Sequence, residues 1–239
     1  MNMILLFDED YMAANEVCLR GRRLRHVLSV HRATVGHQLR VGHLGGLQGH
    51  GTITCLDDNQ LKMMVQLEEP SPPPCRIELV LALPRPKVLR RTLITATTLG
   101  IKKISLINSW RVEKSFWQTP MLQPDKIQQC LIEGLEQCRD TQLPQVQTYR
   151  LFKPFVEDVL PQQLQGRCGV IAHPHVEGSE PVPCGADYVL AIGPEGGFIP
   201  YEVDLLCQQG LIPLVLSPRI LKVETAVCYA VSHLTSSIL

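Results

Sequence analysis

Three glycines, a proline, a glutamate and an aromatic residue stand together at Gly193-Pro194-Glu195-Gly196-Gly197-Phe198, directly after the apolar run Tyr188 to Ile192. Glycine has no Cβ and reaches positive φ without strain, so a turn of this composition lets the backbone close in on a small ligand. A second turn, Leu216 to Ala226 (LSPRILKVETA), follows the apolar run Ile212 to Leu216 and brings two cations, Arg219 and Lys222, beside Ser217, Glu224 and Thr225. Each turn passes into a helical pattern. Both turns are thereby expected at the carboxyl ends of strands, where open α/β sheets bind ligands. The spacing is neither GxGxxG nor GxxxxGK followed by Ser or Thr, and it follows a late strand, which argues against dinucleotide and nucleoside-triphosphate binding. Plainer readings stay open for the same residues. GPEGGF also suits a tight strand–helix turn with Glu195 in solvent, Glu224 and Thr225 suit a helix start favoured by the dipole, and Arg219 and Lys222 suit a solvated basic face.

The elements that must position these turns lie in the second part of the chain. From Cys75 the pattern alternates: strand Arg76 to Leu83, helix Lys87 to Leu99, strand Lys103 to Ile107, a basic and aromatic loop, and helix Asp125 to about Cys138. A strand at Val146 to Tyr149, a helix around Pro154 to Leu164 and a strand at Gly169 to His173 come next, and then the two units already described. Repeated β-α units of this length predict a parallel sheet with helices on both faces, so residues 75–239 form an α/β domain. Residues 1–70 read as a small β-rich module. Short β-like runs at Gln38 to Val41, Gly51 to Leu56 and Leu61 to Leu67 are separated by turn residues. They are preceded by a basic amphipathic segment, Arg20 to Val30, with Leu24, Val27 and Leu28 on one face. Four prolines between Pro70 and Pro74 can continue neither a helix nor a central strand, and residues 71–74 are read as a linker.

The formal net charge is zero, but the charges are sorted along the chain. Arg20 to His50 holds six arginines, five histidines and no acid, and Pro84 to Lys114 holds eight basic residues and one acid, Glu113. From Asp125 onward thirteen acids face seven bases. Basic segments in the first half suggest a polyanion-binding face that the net charge conceals. The nine cysteines offer no CxxC pair, and His26, His31, His37, His43 and His50 fit no compact ligand set, so no metal is expected. No apolar run approaches the roughly 18 residues of a membrane span. The opening MNMILLFDEDY places acids straight after a very short apolar stretch, unlike a secretory signal, and a cytoplasmic protein with reduced thiols is expected.

In this order and spacing the two turns resemble the C-terminal signature of SPOUT-class methyltransferases, and within that class the RsmE family. The residues that carry the resemblance are IGPEGGF at 192–198 with Glu202 in the following helix, and LSPRILKVETA at 216–226. Ala172-His173-Pro174 looks like the family's third cofactor loop, and Glu136-Gln137-Cys138 looks like the start of its E-Q-S/C-x-R element. Residues 1–70 look like its PUA-like RNA-binding barrel. The resemblance implies a trefoil-knotted α/β domain, a homodimer, and an S-adenosylmethionine site formed by Ala172, His173, Pro174, Ile192, Gly193, Gly196, Gly197, Leu216, Ser217, Ile220, Leu221, Thr225 and Ala226. The implied reaction is methylation of uridine N3 in small-subunit ribosomal RNA, without metal.

N3 of uracil carries a proton near neutral pH, so attack on a sulfonium methyl needs a base or a cation that favours the uracil anion. Glu195 is the nearest motif carboxylate, and Arg219, Lys222 and Arg139 are candidates for stabilising charge on the uracil oxygens. Arg20, Arg22, Arg23 and Arg25 in the first module, with Arg85, Lys87, Arg90, Arg111 and Lys114 in the second, are candidates for phosphate contacts. Trp110, Phe116 and Trp117 are candidates for stacking on unpaired bases, or for core and dimer packing. Lys222 stands where the family has arginine, and Arg139 follows its motif one position early. These departures motivate two alternatives: a non-catalytic RNA-binding or ribosome-assembly factor, and a methyltransferase acting on another ribosomal or transfer RNA site.

Overall fold

The computed structural model describes residues 2–31, 33–174, 182, 183 and 185–235. The chain divides into two compact units, Met1–Pro73 with Ile132–Leu143, and Pro74–Leu131 with Pro144–Leu239.

The first unit holds β1 (Ile4–Leu6), β2 (Tyr11–Ala13), β3 (Glu16–Leu19), β4 (Gln38–His43), β5 (Gln48–Leu56) and β6 (Leu61–Glu69). They form one mixed sheet in the order β1-β4-β5-β6-β3-β2, with β1 parallel to β4 and the remaining pairs antiparallel. Burial alternates along β6, so Leu61, Met63 and Val65 point inward, as period-2 patterning requires. Ile4 and Leu6 from one edge and Val17 and Leu19 from near the other meet in a single core, which makes the sheet curl into a barrel-like unit. Helix α1 (Gly21–His26), continued by a wider π-type turn to His31, closes that core with Leu24 and Val27.

The basic face of α1 differs from the expectation at one position. Arg20, Arg22 and Arg25 are exposed, but Arg23 turns inward. Its guanidinium donates to both Asp10 carboxylate oxygens (2.5 and 2.6 Å) and to the Leu5 carbonyl (2.9 Å), and it lies 4.9 Å from the centre of the Phe7 ring. A bidentate pair with both partners mostly buried is structural, and Arg23 is withdrawn from the candidate phosphate ligands.

Residues 132–143, read from sequence as part of the second domain, cluster with the first unit. The Glu136 carbonyl accepts the Asn2 and Met3 N–H groups (2.9 and 3.0 Å), and Leu135 packs on Met3 and Leu5. The Glu136 side chain is buried and reaches Arg22 at 3.4 Å. Burial pushes its carboxyl above the ordinary glutamate range, against the opposing pull of Arg22 and the Leu5 N–H. The folded chain therefore keeps this proton over an interval in which the unfolded chain has released it, and stability falls as pH rises through that interval. Glu136→Gln keeps an acceptor and removes the charge. Urea unfolding from about pH 4 to about pH 7 should show a flatter profile than the parent chain, with neutral-pH stability equal or higher.

The second unit is a parallel sheet of β7 (Ile77–Ala82), β8 (Lys103–Ile107), β9 (Gln145–Tyr149), β10 (Cys168–Ala172), β11 (Tyr188–Ile192) and β12 (Leu211–Leu214), in the order β12-β10-β11-β7-β8-β9. Every residue of β11 is buried, as befits a strand covered on both faces. Helix α2 (Pro86–Thr98) begins with proline at its first turn and ends at Gly100, whose φ of 81° suits the residue after a helix. Helix α3 (Pro124–Cys138) runs across the boundary between the units; α4 (Phe152–Pro154) and α5 (Leu160–Gln163) flank a π-type turn. Helices α6 (Pro200–Gln208) and α7 (Val223–Thr235) follow the two motif turns. Val223, Ala226, Val227, Ala230, Val231 and Leu234 make the buried face of α7, at the i, i+3, i+4 spacing of an amphipathic helix.

Strand register aligns the carboxyl ends. Leu214 pairs with Ala172, Ala172 with Ile192, and Ile192 with Leu81; Ala82 pairs with Ile107, and Ile107 with Tyr149. All the loops that follow these strands thus leave the same edge of the sheet. Among the described residues no helix is long and apolar enough to cross a membrane. The eight described cysteines are free thiols, and burial raises Cys75, Cys168 and Cys207 above the ordinary thiol range. Cys184 lies outside the described residues.

Candidate active site

The loops after β10, β11 and β12 enclose a cleft of about 190 Å³. Ala172, His173 and Pro174 supply one wall; Ile192, Gly193, Gly196 and Gly197 supply the second; Leu216, Ser217, Ile220, Leu221 and Ala226 supply the third. Of the residues expected around the cofactor, Thr225 does not line it and is exposed on α7. Pro194, Phe198 and Val223 line the cleft without having been singled out as contacts. Val223 is three residues before Ala226 on the same helical face, a spacing that marks it once Ala226 is placed.

The three glycines of the turn do different work. Gly193 is buried, and a Cβ there would come within 3.0 Å of the Phe198 nitrogen and 3.1 Å of Gly197 Cα, so the backbone closes on itself at this point. Gly197 has φ of 71°, which disfavours a side chain. At Gly196 the nearest neighbour is the Arg111 side chain, 2.9 Å from the position a Cβ would take.

Three side chains hold the turn in place. The Glu195 carboxylate accepts from the Arg85 N–H at 3.0 Å, and so ties the loop to the start of α2. Arg111 donates to the Gly196 carbonyl. Glu202, buried in the first turn of α6, accepts from the Ile199 N–H at 3.0 Å and from the Trp110 N–H at 2.7 Å. Arg111, expected as a phosphate contact, instead spends a guanidinium N–H on the Gly196 carbonyl and is withdrawn from the candidate phosphate ligands. The functional weight of Arg111 and Glu202 as braces was legible only in part from sequence: Glu202 matched the motif, but its partner Trp110 is 92 residues away.

Arg219 and Glu195 line the cleft, and Arg219 is exposed, with its N–H bound to the Ser217 hydroxyl at 3.1 Å. Lys222 is exposed and outside the lining. Arg139 belongs to the first compact unit, exposed just past α3, with φ of 58°. Arg85, Lys87 and Arg90 are exposed around the start of α2. Phe116 and Trp117 are half-buried against the core, whereas Trp110 is 79% exposed.

A parallel α/β sheet with three loops converging on one carboxyl edge, in a chain that also holds a curled β-unit, is an architecture that binds small ligands at its strand ends. A family model described as RNA methyltransferase domain matches residues 71–235, and the chain belongs to that family. It is similar to the ribosomal RNA small subunit methyltransferase E of Treponema pallidum, 26% identical over 96% of this chain and 89% of the relative. A second relative of the same description, from Borreliella burgdorferi, is 22% identical over 99% and 98%. Among solved structures, the ribosomal RNA small subunit methyltransferase E of Neisseria gonorrhoeae bound to S-adenosyl methionine superposes with a TM-score of 0.74 at 21% identity, over 98% of this chain and 97% of that one.

Proposed function

We propose that the chain transfers the methyl group of S-adenosylmethionine to N3 of a uridine in small-subunit ribosomal RNA. The observation that carries this reading is the cleft itself, where three strand-end loops converge around Gly193 and Gly197 with Arg219 at the rim. Its residues fit such a cofactor. Ile192, Leu216, Ile220, Leu221 and Ala226 offer apolar surface for a flat purine and a thioether, and the glycine turn offers backbone at close approach. Relatives named as small-subunit ribosomal RNA methyltransferases, over nearly the whole chain, support the substrate class.

When bound, the cofactor supplies an electrophilic methyl on sulfur. The chain's part is to orient a uracil, exclude water and favour loss of the N3 proton. In our reading the N3 proton passes to water before the methyl is transferred, and Arg219 is the cation that stabilises charge on a uracil oxygen as N3 attacks. Glu195, already bonded to the Arg85 N–H, acts first as the residue that orients the glycine turn. Lys222 and Arg139 remain candidates from the motif, and the second copy of a homodimer is the expected companion in a cytoplasmic enzyme. Arg20, Arg22 and Arg25, with Arg85, Lys87, Arg90 and Lys114, are the exposed cations proposed to meet phosphate.

The test is calorimetry with S-adenosylmethionine, followed by transfer of labelled methyl to ribosomal RNA and small subunits and mapping of the labelled nucleotide. Saturable binding and label on N3 of a small-subunit uridine are expected. Binding without transfer to any RNA would make the chain an assembly factor, and label elsewhere would reassign the substrate.

A further inference from the structure

A second cavity, about 800 Å³, opens on the same carboxyl edge, beyond β8 and β9. It lies beside the cofactor cleft, and the ring of Phe152 in its wall packs 6.2 Å from that of Phe198 in the cleft. The methyl transfer proposed above does not use it, and of its lining only Lys114 is named there, as a phosphate contact. Its lining combines three kinds of group. Trp110 and Tyr201, both in the lining, present largely exposed aromatic side chains, 79% and 55%. Lys114, Arg150 and Lys153 add positive charge at the surface. Ser109 is 2% exposed, and its hydroxyl has no hydrogen-bond partner among the described residues, although buried polar groups are rarely left so.

Two further contacts fix the character of the cavity. Trp117 Nε1 donates to the Asn108 side chain at 2.8 Å; an indole nitrogen only donates, so Asn108 presents its oxygen to Trp117 and keeps its amide nitrogen as a donor. Arg150 lies 5.6 Å from the centre of the Trp117 ring, which holds that guanidinium at the mouth. The single carboxylate in the lining, Glu202, is occupied by two backbone N–H groups and presents little free negative charge to an anion.

We propose that this cavity binds an unpaired nucleotide of the RNA substrate. Its base stacks on the exposed rings of Trp110 and Tyr201, its edge meets Ser109 and the Asn108 amide, and its phosphates lie against Lys114 and Lys153. Base-on-ring stacking with cations along the backbone is how single-stranded RNA is commonly held. The proposal rests on the reading of this chain as an RNA-modifying enzyme. It adds a second point of attachment on the edge that carries the cofactor cleft, linked to it by the Glu202 bond to Trp110 and the Arg111 bond to Gly196.

The chain has two tryptophans, and both line this cavity, so intrinsic fluorescence of the full chain reports on it directly. Titration with an oligouridylate of roughly six nucleotides should give saturable quenching that inorganic phosphate does not reproduce. Trp110→Ala combined with Lys153→Ala should raise the KM for RNA roughly tenfold, leaving kcat and S-adenosylmethionine affinity unchanged, since the Trp110 N–H that meets Glu202 is retained. Absence of quenching, or an unchanged KM, would overturn the proposal. So would a loss of self-association in Trp110→Ala by sedimentation, which would assign the rings to contact between copies. If no RNA accepts a methyl but the oligonucleotide still quenches, the enzymatic reading falls and the nucleotide site stands.

Discussion

Valine at position 193 is expected to remove cofactor binding almost entirely, lowering S-adenosylmethionine affinity by roughly 100-fold or more in calorimetry while leaving far-UV circular dichroism unchanged. The reason lies in what a side chain would meet. At Gly193 the nearest atoms are the Phe198 nitrogen and the Gly197 backbone, at 3.0 to 3.2 Å, and neither can rotate away. The loop must open, and it cannot do so without moving the wall of the cleft. Gly196→Ala is the control. Its Cβ would meet the middle of the Arg111 side chain, which can swing, and about tenfold or less should be lost. No effect at Gly193 would show that the turn does not form the binding surface, and equal losses at both positions would show that the two glycines do not differ in what a side chain meets.

Loss of the Glu202 carboxylate should be the most destabilising single change at the edge of the sheet. Glu202→Ala leaves the Ile199 and Trp110 N–H groups without their acceptor in a partly buried setting, at about 1–3 kcal/mol each, so urea unfolding should show a loss of about 2–6 kcal/mol. Glu202→Gln keeps one acceptor oxygen and should cost about half as much. A change within about 0.5 kcal/mol of the parent for Glu202→Ala would mean that the two N–H groups find water, and that Glu202 does not brace the loop.

Much of the second unit was legible in the sequence because its strands are buried on both faces and bounded by strong turn residues. Lys103–Ile107 and Tyr188–Ile192 fall where the apolar runs placed them, and Pro86 and Pro124 mark helix starts that the fixed φ of proline favours. The first unit was legible only in its longer strands. Ile4–Leu6, Tyr11–Ala13 and Glu16–Leu19 are three or four residues long, too short for alternation to register, and they are strands because the sheet recruits them. Arg23 looks like its neighbours in sequence, and only Asp10 folding back beneath it makes it structural. For the cleft, the motif turns named most of the wall because backbone turns are written locally in glycine and proline. The braces were not, since Glu195, Arg111 and Glu202 act on residues some 85 to 110 positions distant.

The return of residues 132–143 to the first unit has a consequence for how the protein is made. During synthesis all six strands of the curled sheet emerge before Leu135 and Glu136 exist, and the stretch from residue 69 to residue 132 takes about 3–13 s at about 5–20 residues per second. Through that interval Met3 and Leu5 lack their apolar cover, and the Asn2 and Met3 N–H groups lack the Glu136 carbonyl. The earliest part of the nascent chain is thus finished by a segment that is complete only when about three-fifths of the polypeptide has been read, so maturation of the β-unit is timed by elongation through the first part of the second unit.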